Sequence, residues 1–236
     1  QLVSSERILF ITALGTKSHK NVFEPLIKAL GERGHQMTVI ANTKSADMGP
    51  NVTEIVPLDV SNFVGKFPNP LDQRKKGVFS SFWDFSFVFD ACHQIYQNPE
   101  FQHYMNQTYD LVIMNGFMNT CFAGYLYRMK VPYIYHVSMA APNTVTSRVG
   151  NWLPPSVVPH PFLPFSDRMS FLERVVNTAL DWFFLVGRDY SFSPKYEKIY
   201  RKYLGEDIPS LAEIEGNISL LFMNSYANFP APRPTL

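Results

Sequence analysis

Residues 7–41 constrain the fold more than any other stretch. Arg7 to Leu14, RILFITAL, is a near-continuous apolar run of strand length that stops at Gly15. Such a run is what a strand buried on both faces of a parallel sheet looks like. A helical pattern follows to about Arg33, with Val22, Phe23, Leu26, Ile27 and Leu30 at spacings of three and four and Gly34 as its stop. Pro25 lies inside that pattern, so either the helix begins near Ser18 and kinks, or its regular part begins at Pro25 as a first-turn residue. QMTVIA, residues 36–41, is then a second strand. The unit reads β-α-β, and a helical crossover makes the strand pair parallel.

The same alternation continues. VTEIVPLDV (52–60) gives a short third strand interrupted by Pro57, and residues 61–78 carry the Pro and Gly of a long surface loop. Residues 79–96 mix helical and strand spacings; their length favours a helix. Residues 109–115 form a fourth buried strand followed by a helix to about Met129, and residues 131–138 a fifth strand. The proline-rich run from Ala140 to Ser166 predicts a long excursion over the sheet edge. Helices are expected near 168–188 and 194–204, and a last strand over 217–224. The fold class is therefore α/β, a doubly wound and mainly parallel sheet with helices on both faces. We expect one domain over residues 1–229, with PAPRPTL, from residue 230, beginning a linker. In such sheets ligands bind outside the carboxyl ends of the strands, which places Gly15–His19, Asn115–Asn119 and Ser138–Asn143 on the functional rim.

Composition narrows the function classes. With 21 basic and 20 acidic side chains and one compact basic run, Gln73-Arg74-Lys75-Lys76, nucleic acid is not an expected partner. Twenty Phe, 12 Tyr and 3 Trp predict a large apolar core with room for an apolar cavity. Cys92 and Cys121 are too few for a disulfide framework and lack metal-ligand spacing; a bridge between them stays open. No apolar run reaches the roughly 18 residues of a membrane span, and QLVSSER is not an intact signal peptide. The sequons at Asn51, Asn106 and Asn217 are candidate glycosylation sites and permit a secretory-pathway reading.

GTKSHK, after the first strand, lacks the further glycines of a dinucleotide fingerprint, and no P-loop occurs in the chain. An oxidoreductase is thereby disfavoured. Gly15 and Ser18 are all this turn offers a phosphate or cofactor, with Ser18 an expected N-cap. His19 reads equally as a helix-start residue and as a base, since neutral imidazole removes protons near pH 7 and a helix N-terminus favours the neutral form. A histidine base usually needs a partner for its tautomer, and at the end of the fourth strand stands Asn115. Asp110 is at the far end of that strand, about 16 Å away by strand rise, and His35 is on the opposite rim. His93, His103, His136 and His160 show no ligand spacing, so no metal site is expected.

RILFITALGTKSHKNVFEPLIKALGERGHQMTVIA, then YDLVIMNGF with KVPYIYHVS, and finally LLFMNSYANFPAPRPTL together resemble the N-terminal half of UDP-glycosyltransferases, in particular the invertebrate members of the detoxifying, membrane-anchored group. The resemblance implies a Rossmann-like, acceptor-binding half of a GT-B enzyme. It implies that His19 is the general base for a small lipophilic acceptor, which attacks the sugar of a UDP-sugar with inversion. The family's acidic relay falls at Asn115, or at Asn119 if the alignment slips; an amide orients an imidazole but does not offset its positive charge. In a protease triad the comparable Asp-to-Asn change costs about 10⁴ in rate. No cofactor is implied; the UDP-sugar co-substrate is held mainly by the family's C-terminal half, which also carries the anchor that places these enzymes on the lumenal side of the endoplasmic reticulum. Neither is among these 236 residues, so transfer by them alone is not expected. Oligomerisation is left open. Acceptor-pocket candidates are Phe82, Trp83, Phe85, Phe117, Met118 and Met139. The alternative is a non-catalytic lipophile-binding protein of the same fold.

Overall fold

A computed structural model describes residues 4–58 and 86–225. The strands are β1 (Arg7–Thr12), β2 (Gln36–Ala41), β3 (Val52–Ile55), β4 (Leu111–Asn115), β5 (Tyr133–Val137) and β6 (Leu220–Met223). They lie in the order β3-β2-β1-β4-β5-β6 and every neighbouring pair is parallel. The chain starts in the middle, winds outward to β3, returns past β1 and winds to the other edge. That is the doubly wound order of Rossmann-type sheets, and it reverses between β1 and β4.

The helices follow from the same sequence pattern. α1 (Lys17–Asn21) and α2 (Glu24–Glu32) take the place of one continuous helix, with Pro25 in the first turn of α2. Proline lacks the N–H that a helix interior needs, so the regular helix restarts there. The remaining helices are α3 (Phe87–Gln97), α4 (Pro99–Met105), α5 (Ala123–Met129), α6 (Asn143–Thr146), α7 (Phe171–Gly187), α8 (Ser193–Leu204) and α9 (Leu211–Glu215). A π turn over Arg188–Phe192 joins α7 to α8. α4, α6 and α9 are additions to the expected pattern, and β3 ends at Ile55, before Pro57 can disrupt its ladder.

Alternate residues of the strands feed two cores. Ile8, Phe10, Met37, Val39 and Ile113 meet Phe23 and Ile27 of the α1–α2 arm. Leu9, Ile11, Val112 and Met114 meet Ile95, Phe122, Leu126, Tyr196 and Tyr200 on the other face. Two buried faces explain why these strands carry continuous apolar runs rather than an alternating pattern. α8 approaches α5 closely at Gly124, where a Cβ would stand 2.9 Å from Tyr200 Cβ.

Cys92 in α3 and Cys121, just before α5, form a disulfide in the second core, closing 29 residues of chain. Cross-linking a loop of that length removes denatured-state entropy equivalent to about 3–4 kcal/mol. Reducing the bridge is therefore expected to lower the unfolding free energy from urea titration by a matching amount; an unchanged value with and without reductant contradicts this. Among the described residues no helix is long and apolar enough to cross a membrane.

Candidate functional site

The site is built where β1, β4 and β5 end. After β1 the chain turns at Gly15, whose φ of +121° is one that side-chain-bearing residues rarely adopt. It then enters α1, whose N-cap is Thr16 and not Ser18 as expected; Ser18 Oγ instead meets Thr16 Oγ1 at 2.7 Å. His19 sits in the last turn of this five-residue helix. Its pKa is lowered from 6.5 by burial, so desolvation, rather than the helix N-terminus, favours its neutral form.

The orientation of His19 is set from below. Its Nδ1 is buried, lies 2.8 Å from where a Cβ on Gly15 would stand, and has no hydrogen-bond partner among the described residues. The Nε2 edge is therefore the one the half-buried ring offers outward. The ring packs edge-on against Phe117 at 5.5 Å between centroids. Gly15→Ala would strain the turn and push a methyl into the imidazole. We expect it to displace the imidazole, read as a change in the His19 ring ¹H and ¹⁵N chemical shifts of this chain. Unchanged shifts in that variant would contradict the role of Gly15.

Two asparagines meet His19's strand neighbours in different ways. Asn119 is fully buried and committed: its Oδ1 accepts from Leu14 N at 2.9 Å, and its Nδ2 donates to Leu14 O and Phe117 O at 2.9 Å each. It stitches the β1 turn to the β4 turn. Asn115, also fully buried, accepts the Phe117 N–H on Oδ1 at 2.9 Å, while its Nδ2 has no partner among the described residues. Asn115 stands opposite His136 in the β4–β5 register, on the face turned toward α1. Asp110 accepts the Arg7 N–H on the opposite rim, and His35 accepts the Glu6 N–H, so neither reaches the site.

Beside His19 lies an apolar cavity of about 200 Å³. Phe117, Met118 and Met139 all line it, so these three candidates come together as expected. Phe82, Trp83 and Phe85 lie outside the described residues. Much of the rest of the wall comes from Val88, Val145, His160, Phe162, Phe184, Arg188, Phe192 and Tyr196. None of these was named as an acceptor-pocket candidate from the sequence. The proline-rich excursion brings His160 there because Asn177 of α7 holds it: Nδ2 donates to Pro155 O and Val158 O, and Oδ1 accepts from His160 N. Asn143 does the same for Leu153 and reaches Asp181 at 2.8 Å.

The cavity's one cation among the described residues is neutralised. Arg188 Nη2 lies 2.6 and 2.5 Å from the two oxygens of Glu215, a buried carboxylate that Arg148 Nε approaches at 3.7 Å. Burial disfavours the Arg188 charge, but Glu215 more than compensates and its pKa rises. An apolar ligand therefore meets a paired guanidinium rather than a bare one. Burial pushes His160 down to about 4, so it too is neutral at physiological pH. The sequons differ in access: Asn106 and Asn217 are exposed, whereas Asn51 is half-buried with its Nδ2 donated to Gly31 O.

A base candidate beside an apolar cavity, at the carboxyl end of a 3-2-1-4-5-6 sheet, fits what the sequence resembles. Among curated relatives, the chain is 29% identical to UDP-glucosyltransferase 2 of Dactylopius coccus, over 92% of this chain and 43% of that protein. It is 29% identical to UDP-glycosyltransferase UGT5 of the same insect, over 94% and 44%. It is 25% identical to human UDP-glucuronosyltransferase 2B28, over 94% and 46%. The chain thus spans less than half the length of the relatives it matches. The sequence model described as UDP-glucoronosyl and UDP-glucosyl transferase matches residues 8–236, nearly the whole chain. With its sheet order and the match over that length, the chain belongs to the UDP-glycosyltransferase family.

Proposed function

We propose that these residues form the acceptor-binding half of an inverting UDP-glycosyltransferase that conjugates small lipophilic molecules, and that His19 is its general base. The observation carrying this reading is the position of His19: Nδ1 turned into the fold, and the ring packed on Phe117, which itself lines the apolar cavity. A lipophilic acceptor in the cavity would present its hydroxyl or amine to Nε2. As Nε2 takes the proton, the acceptor oxygen or nitrogen forms its bond to the anomeric carbon. The bond from that carbon to the UDP phosphate oxygen breaks, UDP leaves from the opposite face, and the configuration inverts. The UDP-sugar would be held mainly by chain beyond these residues, since the β1 turn has neither a glycine fingerprint nor a P-loop. A lumenal, membrane-anchored setting and a role in detoxification belong to this same reading, and the Cys92–Cys121 bridge favours an oxidising compartment.

The test is transfer by the full-length protein. Incubated with UDP-glucose or UDP-glucuronic acid and a panel of phenols and alcohols, it should yield β-linked conjugates. Failure with every donor–acceptor pair, while the phenols still bind, would favour the second reading. That second reading is a lipophile-binding protein without transfer, and it draws on the uncharged Asn115 at the relay position.

A further inference from the structure

Beneath His19 the structure gathers polar atoms that nothing around them satisfies. Among the described residues, Thr12 Oγ1, His19 Nδ1, Asn115 Nδ2 and both ring nitrogens of His136 are buried without a hydrogen-bond partner. Thr12, Asn115 and His136 are each fully buried. They also share a face. His136 pairs with Asn115 in register, and Thr12 follows Ile11, which pairs with Met114, the residue before Asn115. Buried polar atoms are rarely left unpaired, and a cluster of them at a strand-end site marks a hydrogen-bond network with a purpose.

The chemistry of the uncommitted atoms decides who can serve His19. For Nε2 to act as a base, Nδ1 must carry the proton and needs an acceptor. Asn115 is the poorer candidate: its Oδ1 already takes the Phe117 N–H, and its uncommitted atom, Nδ2, is itself a donor. A neutral imidazole has one donor and one acceptor nitrogen. We propose that His136, rather than the residue at the acidic-relay position, is the positioning partner of His19, accepting its Nδ1–H through one water. This rests on the reading of His19 as the base.

Three features suit His136 to the part. Phe10 stacks on it at 4.6 Å and Phe23 packs at 4.1 Å between ring centroids, so its plane is clamped. Phe23 follows His19 by four residues, so the arm that carries the base also clamps its partner. Burial, and then the nearness of His19, push His136 down to about 3, keeping it neutral and able to accept. The Ile11 backbone opposes that shift without forming a hydrogen bond to the ring. Among the described residues, His19 is the only titratable side chain acting on His136; Lys20, from the same arm, is paired with Glu54 and Glu24. β1, β4 and β6 face His136 with no ionisable side chain from Phe10, Thr12, Asn115 or Phe222.

The test compares His136→Phe, which fits between two phenyl rings but cannot accept, with His136→Gln, which can, in the full-length enzyme. His136→Phe should fold, as thermal melting will show, and lose about 10- to 100-fold in kcat with little change in acceptor KM, as removing an orienting partner does. His136→Gln should recover most of that loss. In this chain, ¹⁵N spectra of the His19 ring should show the Nδ1–H tautomer in the wild type and a mixture in His136→Phe. Unchanged kcat and an unchanged His19 tautomer in folded His136→Phe, with His19→Ala inactive, would overturn the relay and leave the base intact. Unchanged turnover in His19→Ala would instead sink the base, and the relay with it.

Discussion

His19→Ala in the full-length enzyme is expected to lower kcat/KM for a phenol acceptor by about 10³, within the 10²–10⁴ range of a positioned general base. The loss should fall on kcat. His19 touches Phe117 at one edge of the cavity, whereas the cavity wall is built mostly from residues that do not touch it, so acceptor binding should survive. Phenols of lower pKa should suffer less, since a partly ionised acceptor needs less help in losing its proton. A loss confined to KM would mean that His19 binds the acceptor without moving a proton.

Acid should destabilise this chain strongly, and for a reason visible in two residues. His136 and His160 are buried, with pKa values pushed down to about 3 and about 4. Each is neutral in the folded state and titrates near 6.5 when unfolded, so below pH 6.5 the unfolded chain binds more protons. Stability is then full above about pH 6.5 and falls as pH drops toward the folded values, by up to about 1.4 kcal/mol per unit for each group. By pH 4 the two together should remove on the order of 5 kcal/mol, a large part of the 5–15 kcal/mol that holds a typical domain. Asp181, raised by burial, acts in the opposite sense, whereas His19, lowered by burial, adds to the loss in acid. Urea unfolding between pH 7.5 and 4 measures this, and His136→Phe should flatten the curve. A stability independent of pH across that window would show that neither imidazole is as desolvated as its surroundings imply.

The fold was legible because buried parallel strands write themselves as apolar runs. RILFIT, QMTVIA and LVIMN each stood out, and the β-α-β spacing between the first two allowed one crossover. Boundaries were harder where local rules compete: Pro25 splits the first arm into α1 and α2, and the ladder of β3 ends before Pro57. The place of His19 on the rim was legible from its position after β1. Its cavity was half findable, through Phe117, Met118 and Met139 beside the strand ends. The other half was not. His160 arrives by way of its backbone bond to Asn177, and Arg188 and Phe192 by the π turn between α7 and α8, and neither leaves a periodic trace in a sequence. Nor could the spacing of Cys92 and Cys121 say that they pair. His136 carried one faint signal, a polar residue inside the apolar run YIYHV, which gains meaning only once the register sets it opposite Asn115.

The central claim is that His19 works as a neutral base because its surroundings strip water from it. The most direct measurement sets two titrations side by side: the His19 imidazole by NMR in this chain, and the acidic limb of kcat/KM in the full-length enzyme. Burial lowers the His19 pKa, so the ring should titrate below 6.5, and kcat/KM should rise with pH through that same midpoint. A ring that titrates above 6.5, or a rate profile whose acidic limb bears no relation to it, would contradict the account.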